Sequence, residues 1–355
     1  MSAMDEERLD AILSALPGRS VAVIGDFCVD RYFHIDPEIS DRSNETGLPI
    51  HQVTEVRAYP GGGANVLNNL AALGAGAIYP VGFIGQDGEG FELRRIFESL
   101  GLRLDFLRES PTRHTPVYTK PLIVRPDEAP EELNRFDIFP REPLGPEDED
   151  ALVAGLRSAF DRADGLIVAD YGEEGKEGVV TARVRETVAE LARMTRDKLV
   201  LADSRLYVDK FRHALIKPNA AEAMDVLGGD PGAEPSLVRL TEIGQQTAER
   251  NKRPVVITLG ADGVLLCAPG RAQKIPVYPS ENEGAIDTVG AGDTTVAALA
   301  AMLAAGAALD EAAIIAMVAA SVTIQQIGRC GAATPGQIGD RFKQYAELFP
   351  DVLKA

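Results

Sequence analysis

Short apolar runs alternate with amphipathic stretches along most of the chain. Six runs have the length and continuous apolar character of strands buried on both faces, at residues 21–24, 78–83, 166–169, 199–202, 214–216 and 255–259. Apolar residues recur at helical spacing in four of the stretches between them, at residues 92–100, 151–163, 180–194 and 237–251. Because parallel strands need helical crossovers, this alternation predicts an α/β fold with a doubly wound, mostly parallel sheet.

Two segments depart from this rhythm, at residues 31–60 and 112–140. Apolar and polar residues alternate in them, as in residues 117–124, which is typical of antiparallel strands with one exposed face. We expect the two segments to form a small antiparallel β lid over one end of the main sheet, within a single domain spanning residues 1–355. The lid leaves a face and an edge uncovered, which favours a homodimer that pairs through the lids.

Composition and charge exclude several classes of protein. The chain has 355 residues, 45% of them hydrophobic, which is typical of a globular protein. A net charge of −18 argues against a nucleic-acid partner, and the longest apolar stretch, residues 297–308, is too short to span a bilayer. Cys28, Cys267 and Cys330 form no CxxC pair, so neither a disulfide framework nor a zinc site is expected and a reducing, cytoplasmic location fits best.

A glycine loop at residues 287–293 directly precedes the longest apolar stretch. Small residues before a helix let backbone N–H groups approach an anion, and the helix dipole favours negative charge there. Gly290, Ala291 and Gly292 are therefore candidates for a phosphate cradle. Asp293 would be repelled by a resting phosphate unless it accepts the proton of an attacking hydroxyl, so it is the candidate general base. Alternatively, the glycines form a turn and Asp293 is an ordinary helix N-cap.

A second glycine cluster, at residues 61–63, also precedes a predicted helix. These glycines would allow close approach by a ligand, and the Asn65 amide can both donate to and accept from sugar hydroxyls. The alternative is a lid hinge with Asn65 as the helix cap. Asp26 and Asp30 follow the first predicted strand, at the edge where open α/β sheets bind ligands, and could bind a polyol or be surface turn residues.

The two glycine motifs, with their order and separation, resemble those of the ribokinase-like, or PfkB, family of sugar kinases. Residues 61–66 are similar to its N-terminal signature and residues 287–300 to its C-terminal one. Residues 216–222 resemble its Asn-x-x-Glu element, and residues 258–263 its nucleotide-binding strand and turn. The resemblance implies a ribokinase-like fold and ATP-dependent phosphorylation of a hydroxyl group.

Within that family the chain is most similar to the kinase half of bacterial heptose-phosphate kinase/ADP-heptose synthases. The similarity lies in residues 25–26 with 30–32, and in residues 73–74, 169–172 and 304–306. Residues 43–49, in the lid, differ from the usual sequence of that subgroup, so the identity of the sugar stays open. No second catalytic domain is expected beyond residue 335.

The resemblance implies roles for individual residues. Asp293 would be the general base toward a sugar hydroxyl that attacks the γ-phosphate of ATP, with Gly290, Ala291 and Gly292 as the anion hole. The sugar would be bound by Asp30, Gly62, Gly63, Asn65 and Asp170. The nucleotide would be bound by Lys217, Asn219, Thr258, Gly260, Asp262, Gly263 and Gly331, with Ala332 beside them.

The resemblance also implies two cations. Asn219 and Glu222 would hold Mg2+, mostly through water because Mg2+ retains much of its hydration, although the same two residues fit a helix capping box. Asp287 lies where relatives hold a monovalent cation, which implies K+. If the substrate already carries a phosphate, a cation at the lid or the rim should meet it. The candidates are Lys120, Arg135, Arg205 and Lys210, with surface solvation as the alternative for each.

Three other functions fit the sequence less well. A nucleoside kinase would need more aromatic residues in the lid than Tyr32, Phe33, Tyr59 and Tyr118. A noncatalytic sugar-binding regulator would not need an intact Asp293 and glycine loop. A dinucleotide-dependent dehydrogenase would need a GxGxxG loop, which does not occur after the first strand.

Overall fold

The computed structural model describes residues 4–128, 130–172, 178–228, 232, 234–279 and 285–354. The helices are α1 (Glu6–Ala15), α2 (Gly63–Leu73), α3 (Gly88–Ser99), α4 (Pro146–Arg162), α5 (Ala182–Met194), α6 (Ala220–Val226), α7 (Leu237–Asn251), α8 (Ala291–Ala304), α9 (Leu309–Thr323) and α10 (Pro335–Leu348). The strands are β1 (Ser20–Gly25), β2 (Phe27–Arg42), β3 (Pro49–Gly62), β4 (Ala77–Gly85), β5 (Leu107–Ser110), β6 (Val117–Ile123), β7 (Glu131–Glu132), β8 (Phe136–Ile138), β9 (Gly165–Asp170), β10 (Leu199–Ser204), β11 (Leu215–Ile216), β12 (Val255–Thr258), β13 (Val264–Ala268) and β14 (Arg271–Ile275).

The large sheet confirms the predicted α/β architecture. Among the described residues its strand order is β14-β13-β12-β11-β10-β9-β1-β4-β5. Strands β12 to β5 along this order are parallel, and β13 and β14 extend the sheet as an antiparallel edge. All six predicted strands belong to this sheet, and the four predicted helices correspond to α3, α4, α5 and α7.

Helices cover both faces of the large sheet. Successive residues of each strand point to opposite sides, so each strand contributes apolar side chains to two cores that the helices complete. In β1, Val21 and Val23 pack in the core formed with α1, α2, α3, α8, α9 and α10. Ala22 and Ile24 pack in the opposite core, formed with α4, α5, α6 and α7. A continuous apolar run in a strand is therefore what burial on two faces requires.

Helix α8 has almost no polar face. Every residue from Thr294 to Met302 is buried, and the helix contacts α2, α9, β1, β9 and β10. An alanine-rich helix can be surrounded in this way because small side chains let neighbouring elements approach closely. As a result the position of the N-terminus of α8, which carries the late glycine loop, is fixed by packing on several sides.

The smaller sheet is the predicted lid, with one difference in strand direction. Strands β2 and β3 form an antiparallel pair, and β7 and β8 are antiparallel to β6, but β2 and β6 run parallel. Strand β2 follows β1 almost directly, and β6 follows β5. Because β1 and β5 leave the large sheet at the same edge, β2 and β6 enter the lid in the same direction.

Strand β2 has an inner and an outer part. The register of its pairing with β3 shifts between His34 and Ile35 and again between Asp36 and Asp41, as at a β-bulge. Up to this point β2 is mostly buried, and beyond it the strand is mostly exposed. The lid also exposes a set of large apolar side chains, which we call the lid face: Ile39, Leu48, Ile50, Val53, Val56, Phe136 and Ile138.

Across the described ranges, none of the helices combines the length and the apolar character needed to cross a membrane.

Candidate functional site

The carboxyl ends of β1, β9, β10, β11 and β12 meet at one edge of the large sheet, under the lid. A cleft of about 330 Å3 lies at this edge. Three acids, Asp26, Asp30 and Asp293, and three cations, Lys120, Arg135 and Arg205, line it together. This is the position where open α/β sheets bind ligands.

Asp293 is in the first turn of α8 and its carboxylate is aimed into the cleft. The N-cap of α8 is Gly290, so the alternative interpretation of Asp293 as the N-cap is wrong. Burial raises the pKa of Asp293 to about 6, while the hydrogen bond from Asn65 and the nearby Tyr171 hydroxyl act in the opposite direction. A carboxylate with this pKa is ionised at neutral pH and can accept a proton efficiently.

The glycine loop before α8 has the conformation of an anion cradle. Gly290 has a φ of 82°, and a Cβ atom there would lie 2.6 Å from Asn65 Nδ2, so the position requires glycine. Of the three predicted donors, the Ala291 N–H already donates to the Thr288 carbonyl at 3.2 Å. The N–H groups of Gly290 and Gly292 have no acceptor among the described residues, which leaves them for a ligand.

Asn65 supports the candidate base. Helix α2 begins at Gly63, so Asn65 is in its first turn and does not cap it. Its Nδ2 donates to Asp293 Oδ2 at 2.9 Å. Its neighbour Asn69 accepts from the Thr294 hydroxyl at 2.9 Å, so two polar contacts join α2 to the start of α8. The predicted contact of Asn65 with sugar hydroxyls stays a prediction.

Two acids predicted to bind the sugar occupy different environments. Asp30 lines the cleft, 3.6 Å from Lys120 Nζ, and accepts from the Cys330 thiol at 3.3 Å. Asp170 is not among the cleft-lining residues: it is buried and accepts from the Ser204 hydroxyl at 2.7 Å. Burial raises the pKa of Asp170 to about 7. This arrangement does not favour direct binding of the sugar by Asp170, which stays a prediction.

The early glycine cluster connects the lid to α2. Gly62 has a φ of 54° and lines the cleft, and the Gly63 N–H donates to the Asp26 carbonyl at 3.0 Å. Asp26 Oδ1 accepts from the Val179 N–H at 2.8 Å. Within the described part of the chain, Asp26 Oδ2 is the one buried side-chain oxygen or nitrogen without a hydrogen bond. Burial raises the pKa of Asp26, which eases the cost of leaving this oxygen unpaired.

The predicted nucleotide-binding residues follow the next strands of the sheet. Thr258 at the end of β12 donates its N–H to the Pro218 carbonyl, which places it beside Asn219. Gly260 and Gly263 form a tight turn with positive φ values of 61° and 92°. Asp262 in this turn is exposed and pairs with Lys274 at 2.8 Å.

Asn219 and Glu222 form the capping box of α6, as the alternative interpretation states. The Asn219 side chain accepts from the Glu222 N–H, and Glu222 Oε2 accepts from the Asn219 N–H. Burial raises the pKa of Glu222, and the nearby Asp203 charge raises it further. A cation beside Glu222 would relieve both effects, so the donor set fits a hydrated Mg2+. In the ranges that the structure describes, no three His, Cys, Asp or Glu side chains converge as a direct metal site.

Asp287 and Gly331 lie in loops that close over the start of α8. Asp287 Oδ1 accepts from the Val289 N–H and Oδ2 from the Gly328 N–H, both at 3.0 Å. The Gly331 carbonyl accepts from Asn69 Nδ2 at 3.3 Å. Through these contacts Asp287 and Gly331 hold the two loops in place. Binding of a monovalent cation by Asp287 and of a nucleotide by Gly331 stays a prediction.

Three of the four candidate phosphate-binding cations line the cleft. Lys120 is on β6, Arg135 immediately precedes β8, and Arg205 immediately follows β10. Lys210 is exposed and pairs with Asp209, so its predicted role was wrong for this cleft and the surface alternative fits it. Burial lowers the pKa of Lys120, but the Asp30 carboxylate and the Tyr32 hydroxyl stabilise its charge, so the net effect is a raised pKa.

Our sequence reasoning did not assign roles to Asp203 and Tyr171. Asp203 is 6% exposed and its Oδ1 lies 3.1 Å from Nζ of Lys217, which is also buried. The Tyr171 hydroxyl donates to Asp203 Oδ2 at 3.1 Å. The available signal was position, because Asp203 directly follows the predicted strand at residues 199–202. Polar residues at strand ends need to be examined for every strand of a parallel sheet.

Comparisons with known proteins identify the family of the chain. The model of the pfkB family carbohydrate kinases matches residues 19–124 and 177–335. The bifunctional protein HldE of Wolinella succinogenes is 31% identical over 330 residues, which cover 93% of this chain and 66% of that protein. The chain spans 60 to 66% of the length of the first curated relatives that it matches.

Solved structures show the same fold at low sequence identity. Ribokinase of Arabidopsis thaliana, complexed with ribose and ATP, superimposes with a TM-score of 0.66 at 19% identity, over 92% of this chain and 99% of that one. Phosphofructokinase-2 of Escherichia coli, in complex with potassium, gives a TM-score of 0.72 at 18% identity over the same shares. Because the family match covers most of the chain, the protein belongs to the pfkB family of carbohydrate kinases.

Proposed function

We propose that the protein transfers the γ-phosphoryl group of ATP to a hydroxyl of a sugar phosphate, with Asp293 as the general base. The observation that carries this proposal is the position of Asp293: its carboxylate is in the first turn of a buried helix, beside two N–H groups without an acceptor among the described residues, and faces a cleft lined by cations. Such a site can accept a proton and stabilise an anion within a few ångströms.

In the proposed reaction, a sugar hydroxyl gives its proton to Asp293 as its oxygen attacks the γ-phosphorus. The bond to the leaving oxygen of ADP breaks in the same step, so the phosphoryl group passes from one oxygen to the other. The N–H groups of Gly290 and Gly292 would stabilise the charge on the transferring oxygens, each by roughly 3 kcal/mol. Asn65 holds the Asp293 carboxylate in place for this role.

ATP would be bound along the carboxyl edge of β11 and β12. Among the described residues the Lys217 ammonium pairs with Asp203, so two of its three donor positions are left there for a phosphate oxygen. The other residues proposed for the nucleotide are Asn219, Thr258, Gly260, Asp262, Gly263 and Gly331. When bound, Mg2+ supplies positive charge to the phosphates, and Asn219 and Glu222 would hold it through water. K+ at Asp287 is the further cation that we propose.

The cations of the cleft favour a substrate that is already phosphorylated. The protein carries a net charge of −18, yet Lys120, Arg135 and Arg205 come together from three separate segments in the same cleft as Asp293. Such an arrangement suits a phosphate at the end of the sugar remote from the reacting hydroxyl. The similarity to HldE proteins makes a heptose phosphate the first candidate. Asp30, Gly62, Gly63 and Asn65 would surround the sugar itself.

The lid face supports a homodimer. Its exposed apolar side chains lie on the small sheet and on the turn between β2 and β3, and a second copy of the chain could cover them across a twofold axis. We propose a sugar phosphate and a second copy of the chain as its partners, with no nucleic-acid or membrane partner. We also propose a cytoplasmic location.

The test is ADP release from ATP and Mg2+ with a panel of sugars, sugar phosphates and nucleosides, run on the parent chain and on Asp293→Asn. We expect turnover on a heptose or hexose phosphate that the substitution abolishes. Turnover only on free sugars would contradict the role of the cleft cations, and turnover only on nucleosides would contradict the substrate class. Activity retained in Asp293→Asn would show that another group is the base.

A further inference from the structure

The hydroxyl of Tyr171 lies between two carboxylates. It donates to Asp203 Oδ2 at 3.1 Å, and it lines the same cleft as Asp293, whose pKa it lowers. A phenol has one proton, so it can donate to only one of these acids at a time. Tyr171 lines the cleft, and burial together with both carboxylates raises its pKa well above the usual value, so the hydroxyl keeps its proton.

Asp203 is held in place from its other side. Its Oδ1 lies 3.1 Å from Lys217 Nζ, and both side chains are almost fully buried. A buried carboxylate that uses one oxygen for an ammonium and the other for a phenol has little freedom to turn. Asp203 therefore fixes Lys217, on the nucleotide side, and Tyr171, on the side of the base.

We propose that Tyr171 and Asp203 are positioning residues that support Asp293 in both of its protonation states. This proposal rests on the proposed role of Asp293 as the base. When Asp293 is ionised, the Tyr171 hydroxyl donates to it. Once Asp293 has taken the proton of the sugar hydroxyl, Asp293 donates to the Tyr171 oxygen and Tyr171 donates to Asp203. No proton leaves Tyr171 in this exchange: only its O–H bond changes direction.

Several charged or titratable groups face Asp293. Tyr171 follows β9, Asp203 is on β10 and Lys217 follows β11, while Cys28 on β2 and Cys330 lie on the lid side. Burial raises the pKa of both thiols, so they are neutral near pH 6. Asp203 raises the pKa of Asp293 and Lys217 lowers it. The other charged groups on the same cleft are Asp26, Asp30, Lys120, Arg135 and Arg205.

The two positioning residues predict opposite effects on the acid limb of the pH profile of kcat. Tyr171→Phe removes a donor that stabilises ionised Asp293, so the limb should move to higher pH by about one unit. Asp203→Asn removes a repelling charge and frees Lys217 and Tyr171 to act on Asp293, so the limb should move to lower pH. Each substitution should lower kcat about tenfold, because the base is less well held.

Matched controls exist on the same side of the sheet. Tyr207→Phe changes a tyrosine that stacks on Arg185 outside the cleft, and Asp209→Asn changes an acid that pairs with Lys210 at the surface. Neither should move the limb. Shifts of Tyr171→Phe and Asp203→Asn in the same direction, or no shift in either, would overturn the proposal, because a merely structural role gives no reason for opposite signs.

A second measurement does not depend on turnover. The pKa of Asp293 can be followed without substrate by NMR of 13C-labelled aspartate carboxyls, with the signal assigned from its loss in Asp293→Asn. If the pKa rises in Tyr171→Phe and falls in Asp203→Asn, the network is supported even when no substrate has been found. If turnover is found but the pKa of Asp293 stays constant in both variants, the proposed function stands and the role of the network fails.

Discussion

Asp293→Asn should make the protein inactive and more stable at neutral pH. Burial raises the pKa of Asp293 from the usual value of 3.8 to about 6. At 1.36 kcal/mol per pKa unit, this difference corresponds to a penalty of roughly 3 kcal/mol on the ionised form. The amide keeps the shape of the carboxylate without its charge, so we expect a gain of about 1 to 2 kcal/mol in unfolding free energy at pH 7, after allowing for weaker hydrogen bonds.

The gain should depend on pH with a definite sign. The pKa of Asp293 is higher in the folded state, so folding binds a proton and the parent chain loses stability as pH rises from about 4 through about 6. The difference between parent and variant should therefore be largest at pH 7 and above, and it should shrink steadily as pH falls toward 4. Urea unfolding of both chains at pH 4.5, 5.5 and 7 measures it directly.

The kcat should fall as Asp293 becomes protonated at low pH, where the parent chain is more stable. With a pKa of about 6, roughly nine in ten molecules have ionised Asp293 at pH 7 and about one in ten at pH 5, so the kcat of the parent chain should fall across this range. The variant should lose about 10²- to 10⁴-fold in kcat. A variant that is inactive but less stable than the parent at pH 7 would refute the argument that the buried, ionised carboxylate lowers the free energy of unfolding. Asp209→Asn, a surface change, is the control.

Three further substitutions test other parts of the site. Arg135→Met should raise the KM for a sugar phosphate about tenfold with little change in kcat, and an equal effect on a free sugar in steady-state assays would exclude a phosphate contact. Gly263→Ala places a Cβ 2.1 Å from the Ile275 carbonyl oxygen at a φ of 92°, so it should lower the free energy of unfolding in urea by about 1 to 3 kcal/mol and raise the KM for ATP. Unchanged values of both would contradict the turn geometry. Val56→Asp on the lid face should convert a dimer into a 37.9 kDa monomer in light scattering, and a parent chain that is already monomeric would refute the dimer.

The sequence predicted the large sheet well because the relevant signal is local. Residues in strands buried on both faces must all be apolar, so each of the six runs identified a strand without any knowledge of its neighbours. The lid was also detectable from alternation. The parallel pairing of β2 with β6 was not, since it depends on where β1 and β5 leave the large sheet, which is a property of the whole topology.

The candidate site was predictable only in part, for a similar reason. Residues next to glycine loops, such as Asp293 and Asn65, carry a sequence motif. Asp203 lies in no such motif, and the resemblance of residues 169–172 assigned no role to Tyr171. The role of both residues depends on contacts across three adjacent strands. The sequence also did not show which of Asp30 and Asp170 faces the cleft, because both lie next to apolar segments. In the structure Asp30 lines the cleft, whereas Asp170 accepts a hydrogen bond from Ser204.

The division of β2 has a consequence for how this protein can change over evolutionary time. The register shift near His34 separates an inner part, which includes Asp30 and packs in the core, from an outer part that is largely exposed. Substitutions in the outer part, and even a small insertion near Asp36 to Asp41, can accumulate without altering the direction of Asp30. The proposed dimer surface and the proposed sugar pocket can therefore diverge at different rates, although one continuous strand contributes to both.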